Sequence, residues 1–380
     1  MHTATETGSA AQSPFLATFP GRYYYDPAIF ALEQERIFAR MWIYGGVANS
    51  LAKPGDYRTL TIANESVIVV RTKQGGLRAF LNVCRHRGSR LCPEAAGHLK
   101  GAIQCRYHAW TYGLDGRLIG APGVFNHPDF TREHYGLHPV ALEVWNGLIW
   151  LNLSENPPSL AEQMDDPAVR DFGSNAPLER YDLANLRVAK TITYDVAANW
   201  KLIMENTLEC YHCGPMHPEL CALLPEYKTG AIDGNEGTAF AEGVEAFTIT
   251  GKASRPPLPG LLPEDTRRYA GFFGLPSIFI NLLSDHVAID WLEPLSPTET
   301  RVTSEWLFDP DAMARPDFDP MDAVAILDLV NHQDWEVCAL AQQGMTSRAY
   351  ARGGNYAPLE HHIRDFAEYI LARLGDDDVA

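Results

Sequence analysis

The sequence predicts an α+β fold in two domains: an antiparallel β domain, then an α+β domain with a central antiparallel sheet flanked by helices. Three observations carry that prediction. Short β-branched or alternating runs follow one another early in the chain, separated by the turn signals Lys53-Pro54-Gly55 and Gly75-Gly76. The cluster Glu155-Asn156-Pro157-Pro158 then breaks the pattern. Beyond it, helical periodicity and strand-like runs alternate, which suits 380 residues shared between two domains of ordinary size.

In order, residues 1–42 are a tail and a leading helix, 43–155 the β domain, 156–185 a connector and 186–380 the second domain. Met1 to Pro14 is rich in Thr, Ala, Ser and Gly. It has neither a basic start nor an apolar core, so it reads as a disordered tail and not a signal peptide. Asp26-Pro27 is an N-cap with proline at the first helical position, and Ile29, Phe30, Ile37, Phe38 and Met41 mark the apolar face of a helix reaching Trp42. Strands are expected at 57–62, 67–72 and 77–83, with the β domain closing near Leu148 to Leu153. In the second domain a helix is expected over 200–209 and strands over 246–250, 277–283, 287–292 and 301–308. A long helix from Pro320 to about Gln343 and a last one from Pro358 to about Leu374 follow, and Asp376-Asp377-Asp378 reads as a solvated acidic end.

The chemistry begins at Cys84-Arg85-His86 and Cys105-Arg106-Tyr107-His108, one Cys-x-His arm and one Cys-x-x-His arm. Two thiolates and two imidazoles are the ligand set of a Rieske [2Fe-2S] cluster, in which two histidines replace two cysteines on one iron. A structural zinc would more often group its cysteines on one arm and its histidines on the other. Here each arm is mixed. The strand 77–83 delivers Cys84, and residues 109–118 read as strand, Asp115-Gly116 turn, strand, so both arms are expected on loops whose backbone N–H groups point at the cluster sulfurs. Cys92 is expected to be buried and unligated.

A net charge of −17 repels nucleic acid and anionic membranes, so neither is an expected partner, whereas a basic face on a redox partner would be attracted. No run approaches the roughly eighteen apolar residues of a membrane span. Seven cysteines, odd in number and without disulfide-framework spacing, point to a reducing cytoplasm.

A second constellation lies in residues 199–218. His212 and His217 converge on one ion if the chain leaves the helix between them, and Gly214-Pro215 supplies that break. A carboxylate would complete the facial triad of a non-haem iron site, which leaves positions open for oxygen. Asp334 on the long helix is the leading candidate, with Asp322, Asp328 and Glu336 as rivals that spacing does not separate. Cys210 and Cys213 form a Cys-x-x-Cys, a redox or zinc motif in other settings; beside these histidines they are read as packing cysteines.

Together these motifs make the chain resemble the α-subunit of Rieske non-haem iron oxygenases, the aromatic-ring-hydroxylating dioxygenase-like family, over nearly its full length. The specific feature is a Rieske pattern followed by Glu205-Asn206-x-x-Glu209-x-Tyr211-His212-x-x-x-x-His217. The resemblance implies a Rieske domain, a helix-grip (START-like) catalytic domain, and mononuclear Fe(II) held by His212, His217 and Asp334. It implies Glu209 as the bridge from that iron to a Rieske histidine of the neighbouring subunit in a homotrimer, with Asn206 and Tyr211 as supporting groups. The implied activity is an oxidoreductase that inserts oxygen from O2 into a small organic substrate, with electrons from a separate NAD(P)H-dependent reductase of flavin or ferredoxin type.

Ring-hydroxylating members commonly carry Asp where this chain has Glu209. The segments Cys105 to Gly116, Glu209 to Cys213 and Glu360 to Phe366 are similar to members that oxidise quaternary ammonium compounds such as glycine betaine, proline betaine or carnitine. Those hydroxylate carbon beside nitrogen, with N-demethylation or C–N cleavage as the outcome. A quaternary nitrogen neither donates nor accepts a hydrogen bond, so aromatic faces must hold it. Trp291, Trp306, Phe279, Tyr211 and Phe273 are available, and an aromatic acid or other apolar substrate would use the same residues. A Rieske electron carrier without oxygenase activity would need none of His212, His217 and Asp334, and would hold about two irons per chain where an oxygenase holds about three.

Overall fold

The computed structural model describes residues 16–166, 178–230 and 237–375. The expected tail at 1–14, part of the connector and the acidic end at 376–378 lie outside the described residues. Asp26 caps α1 (Pro27–Glu33) by accepting the Ala28 N–H at 2.8 Å. The single helix expected to reach Trp42 instead widens over Gln34–Phe38, where the Ala39 N–H reaches back five residues to the Gln34 carbonyl at 3.0 Å.

The β domain comprises β1 (Ile43–Val47), β2 (Asp56–Ile62), β3 (Glu65–Arg71), β4 (Leu77–Leu81), β5 (Ala96–His98), β6 (Ala102–Gln104), β7 (Thr111–Gly113), β8 (Leu118–Gly120), β9 (Pro139–Trp145) and β10 (Leu148–Asn152). Its larger sheet runs β1-β10-β9-β4-β3-β2-β5, and β6-β7-β8 form a separate small sheet that carries the second cysteine arm. Val67, Ile68, Val69 and Val70 of β3 are all buried, which explains a strand with a continuous apolar run and no alternation.

The second half opens with β11 (Arg187–Val196) and α2 (Trp200–Thr207), followed by β12 (Thr238–Ala239), β13 (Arg268–Gly274), β14 (Ile278–Leu282), β15 (Val287–Ser296) and β16 (Glu299–Phe308). They form an antiparallel sheet in the order β11-β16-β15-β14-β13-β12. The long helix α3 (Met321–Met345) packs against α2 and β11, and α4 (His361–Leu374) closes the chain. Residues 246–250 are not the expected strand. The Glu245 N–H donates to the Gly251 carbonyl at 2.7 Å and the Gly251 N–H to Thr248 at 2.9 Å, closing a local loop around the buried Phe247, with Gly251 at φ +69°.

The two sheets meet in one core, where Trp42, Tyr44, Leu148 and Trp150 join Ile278, Ile280, Val287 and Leu307. α1 is also tied to the second half. Glu33 is fully buried, accepts the Trp200 indole N–H at 2.8 Å and pairs with Lys201, so the leading helix fixes the helix from which the histidine motif emerges. No helix among the described residues is long and apolar enough to cross a membrane.

Candidate metal centres

The two cysteine arms fold into the same loop. The Cys84 N–H donates to Ser89 O at 2.8 Å and the Gly88 N–H returns to Cys84 O at 3.0 Å; in the other arm, Cys105 N–H donates to Trp110 O at 2.8 Å and Ala109 N–H to Cys105 O at 3.0 Å. The residue before each closing carbonyl is left-handed, Gly88 at φ +70° and Ala109 at φ +56°. Glycine adopts that conformation freely, whereas alanine carries a cost of about 1–2 kcal/mol that the surrounding loop offsets.

These loops bury Cys84 and Cys105 and leave His86 and His108 exposed, with ring centroids 4.7 Å apart. His86 stacks on Trp110, and Tyr112 places its hydroxyl 3.4 Å from Cys84 Sγ while accepting the Arg85 N–H at 3.0 Å. Burial raises the Cys105 thiol, but the N–H groups of Tyr107 and His108, together with Cys84 and Ser89, bring its pKa below the ordinary value. The same amide dipoles would stabilise an anionic cluster sulfur. Two buried sulfurs inside and two exposed imidazoles outside fit a [2Fe-2S] cluster. Cys92 is buried and pushed up to about 11, first by burial, as suits a protonated packing thiol.

The second site forms where α2 ends and α3 passes. His217 Nε2 lies 2.9 Å and His212 Nε2 3.2 Å from the same oxygen, Asp334 Oδ1. Their other nitrogens are engaged outward, His212 Nδ1 with Glu209 Oε1 at 2.5 Å and His217 Nδ1 with Gln333 Oε1 at 2.6 Å. An acceptor at each Nδ1 fixes the proton there, which leaves both Nε2 lone pairs aimed at one carboxylate oxygen. Three electron-pair donors converging in this way suit a cation held between them. Burial lowers the His212 pKa, yet hydrogen bonds to Asp334, Cys213 and Glu209 outweigh it and push it up to about 12, the same demand for positive charge. Asp334 is raised by burial and brought below the usual carboxylate range by the two imidazoles. Asn206 Nδ2 sits 3.3 Å from both His212 Nε2 and Asp334 Oδ1.

The rival carboxylates are occupied or distant in chemistry: Asp328 accepts the Tyr194 hydroxyl at 2.6 Å, Asp322 meets Arg255 and Ser254, and Glu336 is exposed. Cys213 Sγ lies 3.9 Å from His212 Nε2, but its hydrogen bond with Cys210 and its burial push the thiol up, so it stays a protonated packing group. Two expectations need correction. Gly214-Pro215 does not break the chain: it lies inside a helical turn, Cys213–Met216, closed by Met216 N–H to His212 O at 3.1 Å. The turn comes at His217 (φ −123°, ψ 67°), because Pro218 bars the helical region to the residue before it. Tyr211, expected beside the triad, is instead 55% exposed and makes no hydrogen bond to His212, His217 or Asp334 among the described residues.

A cavity of about 760 Å³ opens beside the triad. Phe273 and Phe279 line it as expected, joined by Asn281, Asp290 and Leu292 from the same sheet. Trp291 and Trp306 do not. Trp291 lies on the opposite face of β15 and packs near Tyr44, and Trp306 is sealed in the core with Ala288, Phe308 and Leu327. Sequence reasoning missed Gln333, Tyr112 and Asp290. Gln333 adjoins Asp334 in sequence, which was a usable signal; the other two reach their partners only through strand register.

Residues 41–131 match the Rieske [2Fe-2S] domain and residues 183–376 the catalytic domain of the ring hydroxylating alpha subunit. The chain is 33% identical to the glycine betaine monooxygenase oxygenase subunit of Chromohalobacter salexigens, over 94% of this chain and 86% of that one. It is 39% identical to the carnitine monooxygenase oxygenase subunit of Escherichia coli over a shorter region, 53% of this chain and 52% of the relative. The crystal structure of the quaternary ammonium Rieske monooxygenase CntA in complex with L-carnitine is similar with a TM-score of 0.74 and 25% identity, covering 95% of this chain and 96% of that one.

Proposed function

Because the chain belongs to the family of ring-hydroxylating α-subunits, Rieske oxygenases that carry a [2Fe-2S] cluster and a mononuclear iron, we propose that it is the terminal oxygenase of a monooxygenase system acting on a quaternary ammonium compound. The observation that carries this reading is the meeting of His212, His217 and Asp334 at the wall of a cavity lined by Phe273 and Phe279. Cys84, His86, Cys105 and His108 would hold the cluster, and His212, His217 and Asp334 the iron. When bound, the cluster supplies single electrons and the iron activates O2.

The remaining residues position these donors. Glu209 and Gln333 hold the two imidazoles with Nε2 facing inward, and Asn206 donates to the shared Asp334 oxygen. The Phe273–Phe279 part of the cavity wall would bring a substrate methyl group toward the triad. An N-methyl group, O2, two electrons and two protons give an N-hydroxymethyl group and water; loss of formaldehyde and a proton leaves the tertiary amine. The names of the glycine betaine and carnitine relatives support this substrate class.

The electrons come from a separate reductase, for which an NAD(P)H-dependent flavin or ferredoxin type is the reading here. Exposure of His86 and His108 suits a homotrimer in which a neighbour's Glu209 meets a cluster histidine. Seven unpaired cysteines suit a reducing cytoplasm. The test is oxygen uptake by reductase-supplied protein offered glycine betaine, proline betaine, carnitine, choline and simple aromatic acids. Uptake with a quaternary ammonium compound, matched by formaldehyde, is the expected result. Uptake with aromatic acids alone would overturn the substrate class.

A further inference from the structure

The wall of the cavity combines an aromatic pair with a carboxylate that no mechanism step has used. Side chains of one parity on β13, β14 and β15 share the cavity face: Gly271 and Phe273, Phe279 and Asn281, Asp290 and Leu292. The register pairs Phe273 with Phe279 and Phe279 with Asp290, so two rings and a carboxylate stand side by side across three adjacent strands. The rings are stacked at 4.5 Å. Gly271 makes room for them, since a Cβ there would come within 2.7 Å of the Phe279 ring.

Asp290 is held in place from both sides. Asn281 donates to Oδ2 at 2.8 Å, the Ser304 hydroxyl donates to Oδ1, and Ser304 in turn accepts from Asn331 at 3.2 Å. None of these partners is charged. Of the other carboxylates lining the cavity, Glu209 is engaged by His212 and Asp334 by both histidines. No lysine or arginine is among the described lining residues. An asparagine could accept only one of these two bonds, so the pair of donors suits a carboxylate, yet its charge has no lysine or arginine partner among the described lining residues. Burial pushes Asp290 up to about 6 despite its hydrogen bonds, a cost that a cation in the cavity would relieve.

We propose that Asp290 is the specificity-determining anion of this cavity, holding the cationic head of the substrate against the Phe273–Phe279 pair. Ring faces and a carboxylate attract a quaternary ammonium together, and neither requires a hydrogen bond from nitrogen. The inference rests on the quaternary ammonium reading above and names the residue that enforces it. A neutral tert-butyl isostere has the same shape and gains nothing from the charge.

The test compares each quaternary ammonium compound with the isostere that carries carbon in place of the charged nitrogen: choline with 3,3-dimethylbutan-1-ol, and glycine betaine with 3,3-dimethylbutanoate. KM is measured for the cation from oxygen uptake and the inhibition constant for the isostere, in wild type, Asp290→Asn and Asp290→Glu, with iron content and cluster absorption followed in each. Wild type should favour the cation at least tenfold. Asp290→Asn should lose that preference through a higher cation KM with the isostere constant unchanged or lower, and Asp290→Glu should keep it. A wild type that binds isostere and cation equally overturns the inference whatever the variants do, and leaves oxygenase activity on the cation intact. Preference retained in Asp290→Asn overturns it as well. If wild type neither oxidises nor binds either cation, the substrate reading itself fails and takes the inference with it.

Discussion

Glu209 engages His212 twice, through the ring nitrogen Nδ1 at 2.5 Å and through the backbone N–H at 3.1 Å. The first contact turns Nε2 of His212 toward Asp334, and the second locks the carboxylate to the turn that carries the ring. Glu209→Gln keeps the size and one acceptor but removes the charge. The variant should keep its iron and cluster, because His212, His217 and Asp334 remain. Reoxidation of pre-reduced protein by O2 and substrate should slow by ~10–100-fold, the usual cost of losing such an orienting partner. Single-turnover kinetics of the visible absorption measure this, and a wild-type rate would return Glu209 to an ordinary helix-end acid. At this scale the ligand types were legible, because two mixed Cys/His arms and a His-x-x-x-x-His pair are rare by chance. Asp334 was not separable from Asp328 by spacing. What separates them is that the Tyr194 hydroxyl already occupies Asp328, a contact made between β11 and α3.

Among the elements, α1 bears on the site from a distance. Its Glu33 pairs with the fully buried ammonium of Lys201 on α2, which also lies over the Tyr24 and Trp200 rings, and α2 carries Asn206 and leads into Glu209. Glu33→Ala would leave that charge buried and unpaired, at a cost of about 3–5 kcal/mol, whereas replacing both Glu33 and Lys201 by apolar residues of similar volume should recover most of it. Denaturant midpoints of the two variants check this, and an unchanged midpoint for Glu33→Ala would refute the role given to the pair. The strands show what sequence leaves out. β13 contains Gly271 and Gly274, residues that disfavour strands, and is a strand because β14 pairs with it and Phe279 needs the space over Gly271. Residues 246–250 have the apolar content of a strand but close a local loop instead, with the Ile249 N–H donating to the Asp322 carbonyl at the start of α3.

For the whole molecule, the division after residue 155 marked where the first sheet ends but not how the parts associate. Ile37 and Phe38, placed with the tail and leading helix, share a core with Trp200 and Phe366 of the second half, and β1 and β10 pack on β14 and β15. Such packing joins residues far apart in sequence, and no local pattern records it. The consequence is one packed frame carrying two donor sets of different kind, two sulfurs with two exposed imidazoles in one half and two imidazoles with a carboxylate in the other. That these are two separate centres is the molecule's central feature. Iron and acid-labile sulfide per chain, measured on wild type and on Asp334→Ala, test this directly. About three irons and two sulfides are predicted for wild type, and about two of each for the variant with the cluster absorption undiminished. Two irons in both proteins, or cluster absorption that disappears together with the third iron, would contradict it.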